Sequence, residues 1–268
     1  MDNRGVSNDR ELRLRFDEAA AHYQDARPGY PQQLYTDLIT LTGLPPPAAL
    51  LEVGCGPGKA TTPLARMGFS ITALELGPAL AERARRRLAE FSHVSVVNAP
   101  FEEWQPPRNK LFDLVYAATA WKWIDPAIRY QRAAVHLRPA GHLAIWAAGH
   151  AFPRPFDPFF TEIQTVYEQI GEGPVRWPPP EPKPDLRTAA EMAACGHFES
   201  IRTRHYLWSC SYTADEYLAL LDTFSGHIAM DPAKRDYLYQ EIRRRLRQRP
   251  DGRLTRHWSA TLTVGRRC

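Results

Sequence analysis

The residues with the clearest chemical potential lie between Leu50 and Lys59, where Glu52-Val53-Gly54-Cys55-Gly56-Pro57-Gly58 sets glycines at alternate positions behind an acid. A loop of this kind, held between a strand and a helix, brings backbone N–H groups and the helix N-terminus close to the polar part of a ligand. Three nucleotide-type readings of the spacing compete. A phosphate-binding P-loop needs G-x-x-x-x-G-K-[ST]. Gly58-Lys59 is present, but Val53 stands at the first glycine and Ala60 at the metal-binding hydroxyl, so that reading fails. A dinucleotide site wants G-x-G-x-x-G, and Lys59 occupies the third glycine. The spacing present is G-x-G-x-G. Glu75, about 20 residues beyond the loop, can receive both hydroxyls of a ribose on one carboxylate, which suits any nucleoside ligand, NAD included.

Further landmarks separate the readings. They are Phe101-Glu102-Glu103-Trp104, Phe112-Asp113-Leu114-Val115, Ala120-Trp121-Lys122-Trp123-Ile124-Asp125 and Leu137-Arg138-Pro139-Ala140-Gly141-His142-Leu143. With the N-terminal run Phe16, Ala20, Tyr23, Arg27-Pro28-Gly29-Tyr30-Pro31, they resemble class I S-adenosylmethionine (SAM)-dependent methyltransferases. The nearest likeness is to the methyltransferase type 11 group around trans-aconitate methyltransferase, over about residues 14–266 and most closely up to residue 148. The resemblance implies SAM as cofactor and S-adenosylhomocysteine as product. It places the glycine loop (Glu52, Gly54, Cys55, Gly56, Gly58) against the methionine part of SAM and Glu75 on the ribose. Phe101 and Glu102 would lie at the adenine, Tyr23 and Arg27 on a helix that closes over the cofactor, and Leu76 and Ala118 beside it. Three positions depart from the pattern. Pro100 replaces an acidic or hydroxyl residue at the adenine, Ala140 a glycine, and Lys122 a residue that is often histidine in relatives.

Methyl transfer from a sulfonium is an in-line displacement, so alignment supplies most of the rate. A base is needed only where the acceptor must lose a proton. Lys122 is the first catalytic candidate, as a base if burial lowers its pKa or as an ammonium that pairs with an acidic acceptor; a solvated surface lysine is the plain alternative. His22 is the second. Trp121, Trp123, His150, Trp208 and His227 are candidate acceptor contacts, each aromatic being equally suited to a core. Cys55 reads as a small loop filler. No H-E-x-x-H or two-histidine-plus-carboxylate spacing occurs, and no metal is expected.

Apolar runs at 49–53, 70–76, 94–98, 112–118 and 142–148 predict strands, and the segments between them (to about 67, 78–91 and 126–137) predict helices. Such alternation means βαβ units around a parallel sheet. Helices are expected at 11–25 and 32–42 before it. After residue 149 come a helix at 155–170, a stiff proline-rich connector at 173–184, a helix at 186–195, a strand at 198–209, helices at 213–225 and 231–249, and a strand at 255–266. The fold expected is α/β, a Rossmann-like sheet with helices on both faces. The resemblance implies a seven-stranded mixed sheet of order 3-2-1-4-5-7-6 with the last strand antiparallel. Residues 1–268 form one expected domain. Its core spans about 45–150, 186–210 and 255–266, and its helical cap comes from 11–42, 151–185 and 211–252.

A net charge of +4 is mild for 268 residues, and the arginine runs at 83–87 and 243–247 have helical spacing without interleaved aromatics. Neither a nucleic-acid partner nor a membrane is expected, and the four scattered cysteines suggest no disulfide framework. The charged N-terminus reads as no signal peptide, so a cytoplasmic monomer or homodimer acting on a small-molecule acceptor is expected. An NAD-dependent dehydrogenase, an RNA or protein methyltransferase, and a same-fold protein that binds SAM without transferring methyl stay open.

Overall fold

In the computed structural model, residues 26–107, 110–174 and 176–268 are described. The helix expected at 11–25, with His22 and Tyr23, lies outside them. α1 (Gln32–Thr42) starts after Pro31 and stops at Gly43, whose φ of 65° supplies the left-handed cap that favours glycine. β1 (Ala49–Val53), α2 (Thr61–Arg66), β2 (Ser70–Glu75), α3 (Pro78–Arg87) and β3 (Val94–Asn98) follow, α3 opening on a proline whose missing N–H costs nothing at a helix start. Next come β4 (Phe112–Ala118), a 3₁₀ turn (Trp121–Trp123), α4 (Arg129–His136) and β5 (Leu137–Ala151). The last part holds α5 (Phe159–Glu162), α6 (Gln164–Gln169), α7 (Arg187–Ala194), β6 (Phe198–Thr213), α8 (Ala214–Leu221), α9 (Ser225–Ile228), α10 (Pro232–Arg247) and β7 (Arg253–Arg267).

The strands form one seven-stranded sheet in the order β3-β2-β1-β4-β5-β7-β6. β1 to β5 pair in parallel, and β7 runs antiparallel to both β5 and β6. The chain therefore reverses its direction of winding between β1 and β4. In open α/β sheets a ligand crevice lies at the carboxyl ends of the strands at that point. Residues alternate between two cores: Leu50, Ile71, Leu114, Tyr116 and Trp146 on one side, Leu51, Val53, Val115, Leu143 and Ile145 on the other. Trp146 stacks on Tyr116 with centroids 5.5 Å apart and takes Tyr30 and Tyr35 edge-on.

Three expectations change. α1 buries Leu34, Tyr35 and Leu38 against the sheet core, so residues 32–42 are no part of a separate cap. The segment at 155–170 is two short helices, α5 and α6, rather than one. β5, β6 and β7 run to 15, 16 and 15 residues, longer than their apolar patterns imply. Their ladder extends to Ala151↔His257 and Thr213↔Arg253, and the added ends carry a third core. There Phe159, Tyr217, Leu238 and Ile242 from the helices meet Tyr212, Leu254 and Trp258 from the strands.

α8 begins in a capping box, Thr213 Oγ1 accepting the Glu216 N–H while the Glu216 carboxylate accepts the Thr213 N–H. Thr213→Ala is expected to cost about 1 kcal/mol in chemical denaturation.

Candidate functional site

A cavity of about 440 Å³ opens at the crevice, within the roughly 300–1,000 Å³ usual for small-molecule sites. The loop after β1 forms one wall. Gly54 sits at φ 69°, and a Cβ there would stand 2.6 Å from the Ala120 Cβ. No other residue fits so close to the chain leaving β4. Gly54→Ala is therefore expected to cost about 1–2 kcal/mol for the left-handed backbone alone, read by thermal unfolding, with weaker cofactor binding. Gly58, also left-handed at φ 84°, turns away from the cavity and packs on Leu88.

Two carboxylates organise the wall. Glu75 ends β2 almost fully buried, its Oε2 accepting the Gly56 N–H at 2.7 Å and its Oε1 the Gly77 N–H at 2.9 Å. It thus pins the glycine loop to the start of α3 while still lining the cavity. Glu52 is fully buried. Its Oε2 accepts from Thr61 at 2.5 Å and from Tyr116 at 2.8 Å, while Oε1 has no partner among the described residues. Burial pushes its pKa up from 4.5 to about 7, against the lowering pull of the two hydroxyls. Cys55 lines the loop with a thiol that burial holds well above its ordinary pKa, so it is neutral filler and no nucleophile.

Ala99, Pro100 and Phe101 form the wall beyond β3; Leu76 and Ala118 also line the cavity, whereas Glu102 does not. Thr119, which carries no sequence signal, follows β4 at φ 63°. Its hydroxyl bonds Tyr30 OH at 2.7 Å and accepts the Ala148 N–H at 3.3 Å, contacts that hold a conformation costly for a side chain with a β-branch. Arg27 faces the cavity and donates to Thr223 Oγ1 at 3.1 Å and Thr223 O at 2.9 Å, while Lys59 donates to Arg27 O.

The 3₁₀ turn separates the candidates of the Trp-Lys-Trp run, because three residues per turn send successive side chains about 120° apart. Trp121 goes into the core against Phe101 and Tyr130 and does not line the cavity. Trp123 and Lys122 line the cavity, the ammonium 4.7 Å from the Trp123 ring centre, and burial with Arg27 nearby lowers the Lys122 pKa. Two other candidates stand away from it. His227 is tied to Tyr167 OH at 2.9 Å, and Trp208 packs between the first and third cores on a strand one removed from β5. His150 does not line the cavity, and its ring centre lies 4.5 Å from that of Phe224 and 4.7 Å from that of Trp258. Those two rings and Ala148 line the far end, and no local pattern in the sequence singles them out.

The cavity fits SAM on its own features: glycines that let backbone approach, a carboxylate at the end of β2 and an orphaned carboxylate oxygen at the end of β1. Among the described residues no cluster of His, Cys, Asp and Glu suits a metal, and no helix is long and apolar enough to cross a membrane.

Comparison with known proteins agrees. The family described as "Methyltransferase domain" matches residues 51–145. An uncharacterized methyltransferase of Mycobacterium tuberculosis is 32% identical over 138 residues, covering 51% of this chain and 53% of the relative. A trans-aconitate 2-methyltransferase of Rhodopseudomonas palustris is 29% identical over 112 residues, covering 41% and 42%. The chain thus spans about half the length of the curated relatives it matches. In fold it is similar to a proposed type II methyltransferase from Anaeromyxobacter dehalogenans, with a TM-score of 0.64 and 23% identity over 90% of this chain and 97% of the other. The matched segment holds the glycine loop, Glu75 and the Trp-Lys-Trp turn, and the sheet has the seven-stranded order. Residues 51–145 match the methyltransferase-domain family, and the seven-stranded fold around them is similar to that of the Anaeromyxobacter dehalogenans protein.

Proposed function

We propose that this chain, acting as one domain, transfers the methyl group of SAM to an O, N or C atom of a small-molecule acceptor. The observation that carries the reading is that a single cavity joins the glycine loop and Glu75 at one end to Ala148, Phe224 and Trp258 at the other. A concave, largely apolar chamber of that size takes a small molecule whole.

SAM, when bound, supplies an electrophilic methyl on a sulfonium. Glu75 receives the ribose hydroxyls while keeping the Gly56 amide in place. Glu52 Oε1 receives the ammonium of the methionine part, and Arg27 sits at the cavity edge for its carboxylate. Pro100 and Phe101 flank the adenine, Phe101 through its backbone N–H. Trp123, Phe224 and Trp258 exclude water from the acceptor and hold its nucleophilic atom in line, the source of most of the acceleration. Lys122, at the mouth beside Trp123, is the group on this wall with the chemistry to take a proton or to balance a negative charge.

Titration calorimetry with SAM, S-adenosylhomocysteine and NAD, followed by transfer of labelled methyl across an acceptor panel, tests the reading. Tight SAM binding with label in a small product supports it. Binding of NAD in place of SAM, or label found only in RNA or protein, overturns it.

A further inference from the structure

On β7 the residues Leu254, Arg256, Trp258, Ala260 and Leu262 are all buried, so one guanidinium interrupts an apolar row. Arg256 is only 7% exposed. Its Nε donates to His150 Nδ1 at 2.9 Å and its Nη1 to Tyr217 OH at 2.7 Å. The rings of Phe152, Phe160, Tyr217, Phe224 and Trp258 surround it, their centres 5.3–5.9 Å from Cζ. No carboxylate among the described residues pairs with it, and Nη2 has no partner there. Aromatic faces and neutral acceptors soften the cost of a buried cation without cancelling its charge.

The neighbouring groups do not supply the missing anion. Arg27 Cζ also lies over the Phe224 ring, at 5.5 Å, and is itself a cation; His227 is bound to Tyr167, and Asp222 is taken by Tyr239 OH at 2.7 Å. His150 is a donor in waiting. A ring nitrogen that accepts a hydrogen bond carries no proton, so the hydrogen of the neutral ring is on Nε2. Crowding by its neighbours and the Arg256 guanidinium hold its pKa far below the usual imidazole value, which keeps the ring neutral. Its ring retains access to solvent, on the face of β5 that Ala148 presents to the cavity.

We propose that Arg256 and His150 form an anion-binding subsite at the far end of the cavity, and that the acceptor is a small-molecule carboxylate received by Arg256 Nη2 and His150 Nε2–H. Neither residue lines the cavity itself; both pack on Phe224, in the turn after α8, and on Trp258, which do. One uncompensated positive charge matches a carboxylate monoanion better than a phosphate dianion. Assigning the carboxylate to the methyl acceptor rests on the function proposed above; the anion site itself does not.

The experiment is binding to the full chain saturated with S-adenosylhomocysteine, using benzoate and hexanoate against benzamide and hexanamide as probes. An acid bound at least about tenfold more tightly than its amide is expected, as for a charge-assisted pair. Arg256→Gln should remove that preference, Arg256→Lys retain part of it, and His150→Phe weaken it. If neither acid outbinds its amide on the unmodified protein, or if a folded Arg256→Gln variant keeps the preference, the inference is wrong. The first comparison needs no variant, so a folding failure cannot rescue it. SAM calorimetry on the same samples separates the two claims: loss of SAM binding with retained acid preference sinks the methyltransferase reading alone.

Discussion

Glu75→Ala is expected to weaken SAM binding by about 2–4 kcal/mol, roughly 30- to 1,000-fold, in a protein that still folds. The carboxylate does two jobs at once. Its oxygens accept the amides of Gly56 and Gly77, fixing the glycine loop against the start of α3, and it faces the cavity where a ribose would lie. Hydrogen bonds to a charged group contribute more than neutral ones. Alanine removes the ribose contact and also leaves two amides at the end of β2 to find water. Glu75→Gln keeps an acceptor for one amide and should fall between. Calorimetry with SAM, alongside thermal unfolding, reads both effects. Unchanged affinity in a folded Glu75→Ala variant would remove this residue from the cofactor site.

Glu52 leads to a pH effect with a definite sign. Its pKa is raised on folding, from 4.5 to about 7, chiefly by burial. Below 4.5 the carboxyl is protonated in both the folded and unfolded chain, and its contribution to stability is fully present. Between the two values the folded chain holds a proton that the unfolded chain has lost, so stability falls as pH rises. Above about 7 both states are ionised and the full loss, about 3 kcal/mol at most, has accrued. Glu52→Gln cannot titrate. The stability difference between the native chain and that variant should therefore change by up to about 3 kcal/mol between pH 4 and pH 8, any fixed cost of the amide cancelling. Denaturant unfolding at both pH values measures it, and a flat difference would show that Glu52 is not strained. An ammonium on Oε1 favours the ionised form, so SAM should bind more tightly at pH 8 than at pH 6 and release a proton at the lower pH. Calorimetry in buffers of different ionisation enthalpy detects that proton, and Glu52→Gln should abolish it.

How legible this was differs along the chain. β1, β3, β4 and α1 have the bounds that their apolar patterns predicted, because strand alternation, Gly43 and the flanking prolines are local signals. The glycine loop was legible for the same reason. The helix expected at 155–170 failed on packing, since Phe159, Phe160, Ile163 and Val166 must face a third core whose shape is set by residues from 212 to 258. Trp121 and Trp123 looked alike as letters, and only the 3₁₀ turn sent one inward and the other to the cavity.

The sequence by itself determined the strand–helix alternation, the loop that approaches a ligand and the acid that ends β2, since each depends on residues within one strand–turn–helix unit; the order of the seven strands was what the resemblance implied. The tertiary structure alone decided what lies at the other end of the cavity. The lengthened β5–β7–β6 ladder sets His150 beside Arg256, 106 positions away in the chain, and folds Phe224 over both. A buried arginine shows that it lacks a counter-charge only when every group around it is in place. No spacing in the sequence carries that information, because charge compensation is a property of the surroundings and not of the residue.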